Sequence, residues 1–251
     1  MTAEEKRIHF VGAGPGAEDL ITMRGARLLN RADIVLYTGS LVNPMLLEYA
    51  PQAQVFDSCD MTLEEITELM IRADREGKQL VRLQTGDPSL YGAIREQMDA
   101  LDRLGIPYDS CPGVSACFGA AAELDLEFTL PGVSQSLVIT RMPGKTGGVP
   151  DKESIRSFAA HGATMAVYLS ASMLEELSEE LIAGGVSPET PAVICYKATW
   201  PESRTYPCTV GTLEKTGREN EIKKTALIIV GDVLDKTGYE RSKLYAADKN
   251  L

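Results

Sequence analysis

The 251-residue chain lacks most of the signatures that mark a covalent or metal-based mechanism. It has no serine nucleophile elbow, no P-loop, no HExxH pair and no DxDxDG loop. Histidine is scarce: His9 and His161 are the only two, far apart and without metal-ligand spacing. His9 falls inside a strand pattern, which favours a core role. The five cysteines, Cys59, Cys111, Cys117, Cys195 and Cys208, include no CxxC pair. An odd, scattered set argues against a disulfide framework and against a structural zinc site, so no metal is expected. No uninterrupted apolar run approaches the roughly 20 residues that span a bilayer. The opening MTAEEKRIHFVGAG also lacks a signal peptide's apolar core. The expectation is a cytoplasmic protein without a membrane span. Basic charge is in deficit too, with 25 basic against 36 acidic residues and a formal charge of −11. That disfavours nucleic-acid and anionic-membrane partners, while leaving room for a few local cations around an acidic ligand. What these absences leave is chemistry done by positioning a reactive cosubstrate.

What is present reads as an α/β protein. RIHFVGAG is a short buried strand ending in glycines. LITMRGARLLNRA reads as a helix and DIVLY as a second strand. MTLEEITELMIRADREG is the clearest helix: Thr62 and Glu65 form a capping box, Ile66, Leu69, Met70 and Ala73 make one stripe, and Gly77 stops it. QLVRL reads as the third strand, followed by a helix over LYGAIREQMDALDRLG. This alternation predicts a parallel N-terminal sheet. After CPGVSACFGAAAEL the pattern changes. SQSLVITR, TMAVYLS, PAVICYKAT, SRTYPCTV and ALIIVGDVL are strands separated by only two clear helices. These are DKESIRSFAAHG, capped by Asp151, and SMLEELSEELIAGG, capped by Ser172 with Glu175. Strands that follow one another directly predict a mixed C-terminal sheet. The boundary falls near Pro112–Val114, giving domains over 1–113 and 114–240 and a polar tail over 241–251.

Three stretches carry candidate chemistry, each with a plainer alternative. GAGPGAEDL, Gly12 to Leu20, loosely fits the dinucleotide fingerprint. Its partner acid is missing, because DIVLY ends in Tyr37 and Thr38 with Asp33 at the wrong end. Pro15 also removes a backbone N–H from any phosphate cradle. TGDPSLYG, Thr85 to Gly92, lies at a strand's carboxyl end, where parallel sheets bind ligands. Asp87 there is either the cap of the following helix or the contact to a ligand with positive charge or hydroxyls. TRMPGKTGGVP, Thr140 to Pro150, is either an anion-binding loop carrying Arg141 and Lys145 or a solvated loop. PGVSACFGAAAEL is either a close-packed core helix or a stretch that lets backbone approach an adenosine-like ligand.

Taken in order, VGAGPGAEDLIT, RADIVLY, TGDPSLYG, PGVSA, SQSLVITR, MAVYLS and LIIVGDVL resemble the tetrapyrrole (precorrin) methylase family over roughly residues 7 to 235. The resemblance implies S-adenosylmethionine as cosubstrate, two α/β domains with that cofactor in the interdomain cleft, a tetrapyrrole substrate and a homodimer. YTGSLVNPMLL, GDPSLYGAIREQMDAL and ITRMPGKTGGVP look most like members that methylate precorrin-4, or its cobalt form, at C11 in cobalamin biosynthesis. Members acting on uroporphyrinogen usually read YDxLV where this chain has YTGSLVN. The implied cofactor contacts are Pro15, Thr85, Gly86, Asp87, Leu90, Ser115, Ala116, Leu169 and Ala198, with Ala226 and Leu227 the weaker matches. The implied substrate contacts are Tyr91, Arg141 and Lys145, then Arg82, Lys197 and the Gly39–Asn43 loop. No residue identifies itself as the base. Rival readings are a methylase with another acceptor, an NAD-dependent dehydrogenase and a noncatalytic tetrapyrrole-binding module.

Overall fold

A computed structural model describes residues 7–144 and 147–242. Lys145 lies outside the described residues, as does the expected polar tail beyond Ser242. The chain divides into two compact units: one runs up to Ala116 and includes Thr199–Pro201, and the other holds Cys117–Ala198 and the chain from Glu202 onward.

The first unit is a five-stranded sheet of β1 (Ile8–Gly12), β2 (Ile34–Tyr37), β3 (Gln54–Asp57), β4 (Leu80–Gln84) and β5 (Tyr108–Cys111). Its order is β3-β2-β4-β1-β5, and every pairing is parallel. β1 and β4 are buried along their whole length, as strands covered on both faces must be. On one face α1 (Met23–Arg31) packs Leu29 against Val11, Val35, Val81 and Leu83. On the other, α2 (Leu63–Arg75) and α3 (Arg95–Asp102) pack Ile66, Leu69, Met70, Met98 and Leu101 against Phe10, Leu36 and Leu80. The helices after β1 and β4 thus lie on opposite faces although the strands are neighbours. This is a topological switch point, where a crevice opens at the carboxyl ends.

The capping box forms as the sequence requires: the Glu65 amide donates to the Thr62 hydroxyl and Glu65 accepts from the Thr62 amide. QLVRL is the fourth strand, because the exposed edge strand β3 precedes it without the apolar run that marked the others. The helix after TGDPSLYG starts only at Arg95.

The second unit is built on β6 (Leu137–Arg141), β7 (Thr164–Tyr168), β8 (Pro191–Tyr196), β9 (Arg204–Thr209) and β10 (Ala226–Val230), in the order β6-β7-β10-β8-β9. Only β6 and β7 are parallel, so the sheet is mixed, as expected. One face packs against α5 (Ile155–Ala159), α6 (Leu174–Ala183) and α7 (Leu213–Glu219), a short helix that the periodicity did not reveal. The other face packs against α4 (Ala116–Glu123) through Cys117, Ala120 and Ala121. Two expected caps differ. Asp151 opens a single 3-10 turn, and Ser154 caps α5 by accepting from the Ser157 amide. α6 begins at Leu174 after Met173, with no side-chain cap from Ser172. Among the described residues, no helix is long and apolar enough to cross a membrane.

Candidate functional site

In the first unit, three strand ends meet on glycine. Gly12 closes β1, Gly86 follows β4 and Gly113 follows β5. A Cβ on Gly12 would lie 2.5 Å from the Gly113 Cα and 2.6 Å from the Gly86 oxygen. Only hydrogens fit there, so the junction brings the loops after all three strands into one place. Gly14 and Gly86 exchange backbone hydrogen bonds at 3.2 and 2.8 Å, both at positive φ. Ser115 and Ala116 border the same turn, their backbones 3.7 and 3.8 Å from where a Gly86 Cβ would stand.

Asp87 sits at the centre of this arrangement. One carboxylate oxygen accepts from the Gly113 amide at 2.9 Å, and the other accepts from the Ser89 amide at 2.9 Å and from the Ser89 hydroxyl. Partial burial alone would raise its carboxyl, but these hydrogen bonds outweigh it and hold the group below the usual carboxylate range. Asp87 is therefore an ionised anchor of its turn and of the β5–α4 junction. It does not cap α3, whose N-cap Ile94 makes no side-chain bond. Thr85 and Leu90 flank it, and the Leu90 amide returns to the Asp87 carbonyl at 3.2 Å. Tyr91 follows at φ 57°, with 43% of its surface exposed.

The first loop is pinned peptide by peptide. The Ala13 amide donates to the Gln84 carbonyl and Gly14 to Gly86, while Pro15 has no N–H. The Pro15 carbonyl accepts from the Trp200 indole at 3.1 Å, and the Gly16 carbonyl accepts from Asn43 Nδ2 at 2.8 Å. The Ala17 amide donates to the Thr199 hydroxyl at 3.0 Å. With three of its amides committed within the protein, this glycine loop is no phosphate cradle. That agrees with the missing acid of the dinucleotide fingerprint.

Two of the weaker substrate candidates are occupied elsewhere. Arg82 is 4% exposed and donates to Leu36 O, Ser58 and Gln97. Burial pulls its guanidinium down to about 10, against the field of Asp57, so it remains a cation inside the unit. It is a buried strut rather than a surface contact for a carboxylate. Asn43, in the Gly39–Asn43 loop, is likewise buried against Gly16.

In the second unit, the sequence-derived contacts gather at one end of the sheet. Arg141 pairs with Tyr168 across β6 and β7, and Ala226 pairs with Tyr196 across β10 and β8. Leu169 directly follows β7. It holds φ 52° and leaves 56% of its surface exposed. A leucine in that region costs on the order of 1–3 kcal/mol, a strain typical of ligand-facing positions. Ala198 follows β8 and is 7% exposed; Leu227 is 4% exposed and its side chain belongs to the core. Arg141 donates to the Gly147 carbonyl at 2.9 Å, closing its own loop. The Lys197 ammonium stands 3.5 Å from Glu202 and over the Tyr196 ring.

The ionised Asp87, the small residues and the committed backbone groups of the first unit suit a compact cation better than a polyphosphate. Among the described residues, no group of three His, Cys, Asp or Glu side chains is arranged to hold a metal ion. His9 is bonded on both ring nitrogens, to Asp109 at 2.6 Å and Gln79 at 2.8 Å, and is a satisfied core residue.

The sequence pattern described as tetrapyrrole (corrin/porphyrin) methylases matches residues 7–214. The chain belongs to this family. It is 47% identical over 247 residues to a cobalt-precorrin-4 C(11)-methyltransferase of Methanocaldococcus jannaschii, covering 98% of this chain and 94% of that protein. Among solved structures, a cobalt precorrin-4 methyltransferase, a cobalamin biosynthetic enzyme, superposes with a TM-score of 0.88 at 43% identity, over 91% of this chain and 95% of that one. Uroporphyrin-III C-methyl transferase from Thermus thermophilus, complexed with S-adenyl homocysteine, superposes with a TM-score of 0.78 at 30% identity, over 92% of this chain and 100% of that one.

Proposed function

We propose that this protein is an S-adenosylmethionine-dependent methyltransferase that methylates precorrin-4, or its cobalt form, at C11 in cobalamin biosynthesis. The observation that carries the reading is the 47% identity to a relative of that name over 98% of the chain. S-adenosylmethionine, when bound, supplies a methyl group on a sulfonium, so the transfer needs neither a metal nor an enzyme nucleophile.

The protein's part is to bind and orient. The cosubstrate contacts in this reading are Pro15, the Thr85–Gly86–Asp87 turn with Leu90, Ser115, Ala116, Leu169, Ala198, Ala226 and Leu227. Asp87 stays ionised and favours the positive end of the cosubstrate, and the exposed Leu169 offers it an apolar face. Tyr91, Arg141 and Lys145 contact the macrocycle, the two cations meeting its carboxylates. The protein works as a cytoplasmic homodimer in this reading. Holding the attacking ring carbon in line with the methyl group is catalysis by orientation.

The test is a calorimetric titration with S-adenosylhomocysteine, followed by turnover of precorrin-4 and of cobalt-precorrin-4 with NMR of the methylated carbon. Micromolar binding and a methyl at C11 are expected. No binding removes the cofactor assignment, and a methyl on another carbon removes the C11 assignment.

A further inference from the structure

We infer that Thr199 and Trp200 are positioning residues that set the first cofactor loop from a distant part of the chain. The inference rests on the cofactor reading above, in which that loop contacts S-adenosylmethionine through Pro15.

Backbone bonding holds the loop Pro15–Gly16–Ala17 weakly, at its far end, where the Ala17 carbonyl accepts from the Leu20 amide at 3.2 Å. Pro15 has no N–H to give, and the residue that follows is a glycine, with the widest conformational freedom. Each of the three residues is instead bonded by a side chain from elsewhere: Trp200 Nε1 donates to Pro15 O at 3.1 Å, Asn43 Nδ2 donates to Gly16 O at 2.8 Å, and Thr199 Oγ1 accepts from Ala17 N at 3.0 Å. Two of the three come from consecutive residues more than 180 positions downstream. These three residues, Thr199–Pro201, group with the first unit, although the chain on either side belongs to the second.

The segment that delivers them is strained. Lys197 stands at φ 47° and Thr199 at φ 67°. A β-branched residue is a genuine outlier there, because its branched Cβ crowds the neighbouring backbone. Such a conformation persists only when surrounding contacts over-determine it, and it clusters at functional sites. Relaxing Thr199 would withdraw its hydroxyl from Ala17 and swing the indole off Pro15. The strain and the two bonds are therefore one device, which fixes where the Pro15 loop stands before a ligand arrives and lowers the ordering cost of binding.

Trp200 is the only tryptophan in the chain, so its emission reports on this loop alone. The experiment uses the full-length protein and compares Trp200→Phe, Thr199→Ala and Thr199→Ser with wild type. Phenylalanine keeps the ring and removes the N–H, and serine keeps the hydroxyl. Losing one such bond is expected to weaken S-adenosylhomocysteine binding about tenfold for Trp200→Phe and Thr199→Ala. Thr199→Ser should stay within about twofold, and the KM for the tetrapyrrole should not move in any variant. In wild type, the Trp200 emission should shift on titration with S-adenosylhomocysteine.

Cofactor affinity unchanged in both Trp200→Phe and Thr199→Ala would overturn the inference. So would equal losses of cofactor and tetrapyrrole binding with a fall in thermal midpoint, since that describes a merely structural role. If wild type itself fails to bind S-adenosylhomocysteine, the cofactor reading fails first and this inference falls with it.

Discussion

Replacing Gly113 with alanine tests the glycine junction directly. Its Cβ would press against the Gly86 carbonyl oxygen and stand 2.8 Å from the Gly12 Cα. Comfortable carbon contacts lie near about 3.5–4.0 Å, so the strand ends must part by on the order of 1 Å. Overpacking of this kind costs about 1–3 kcal/mol. The same movement stretches the 2.9 Å bond from the Gly113 amide to Asp87 out of range, and a hydrogen bond to a charged group contributes about 1.5–3 kcal/mol. The expected loss is about 2.5–6 kcal/mol, a large part of the roughly 5–15 kcal/mol that separates folded from unfolded protein. Because the junction also sets the Pro15 loop and the Asp87 turn, S-adenosylhomocysteine affinity should fall with it, even at temperatures where the protein stays folded. Urea unfolding and calorimetry on the same preparation measure both effects. Gly148→Ala is the control, with nothing among the described residues within 4 Å of its Cβ and no left-handed backbone; it should change stability by less than about 0.5 kcal/mol. A Gly113→Ala variant as stable as that control, with wild-type affinity, would refute the crowding argument.

Three further outcomes are expected. Among the described residues Gln84 Nε2 is buried without a hydrogen-bond partner, so Gln84→Met should raise the thermal midpoint by about 2–4 °C, less whatever its bond from Thr38 contributes; a lowered midpoint in differential scanning calorimetry would mean that the amide is satisfied in solution. The Asp87 carboxyl is held below its ordinary range, so its contribution is complete above the unfolded value near about 4 and is lost as pH falls through the lower folded value. Calorimetric affinity for S-adenosylhomocysteine should therefore be flat from about pH 7 to 5 and drop only below about 4, whereas Asp87→Asn should bind weakly and without that step. Burial pushes the Cys195 thiol up to about 12 and the Cys208 thiol up to about 11, while Cys59 is exposed. Disulfide-exchange labelling of native protein should give one fast site that Cys59→Ser removes, and it should speed up as pH rises through 9 because the Asp60 hydrogen bond raises that thiol too.

Much of the fold was legible because its determinants are local. The capping box at Thr62 and Glu65, the stripe from Ile66 to Ala73 and the mostly apolar, wholly buried β1 and β4 each act within a few residues. The change from βα alternation to strands in direct succession likewise announced the mixed second sheet. Where local signals were weak the reading slipped. β3 is an exposed edge with no apolar run, and the caps assigned to Asp151 and Ser172 yielded to neighbouring residues within a turn or two.

The candidate site divided along the same line. The turn at Asp87 could be found in the sequence because it lies at a strand's carboxyl end, and the ordered motifs named the family. Their spacing could not tell a helix cap from an anchor, since the amide that decides the matter belongs to Gly113, 26 residues away. Arg82 reads as a cation for a ligand until β2, the end of β3 and α3 surround it with Leu36, Ser58 and Gln97. The sequence by itself determined most of the strands and helices, the acidic charge and the family, all of which depend on composition and short-range order. Only the tertiary structure decided that Gly12, Gly86 and Gly113 interlock and that Trp200 and Thr199 hold a loop some 180 residues upstream. Contacts between distant segments exist only after the chain has folded, and no local pattern encodes which glycine meets which carbonyl.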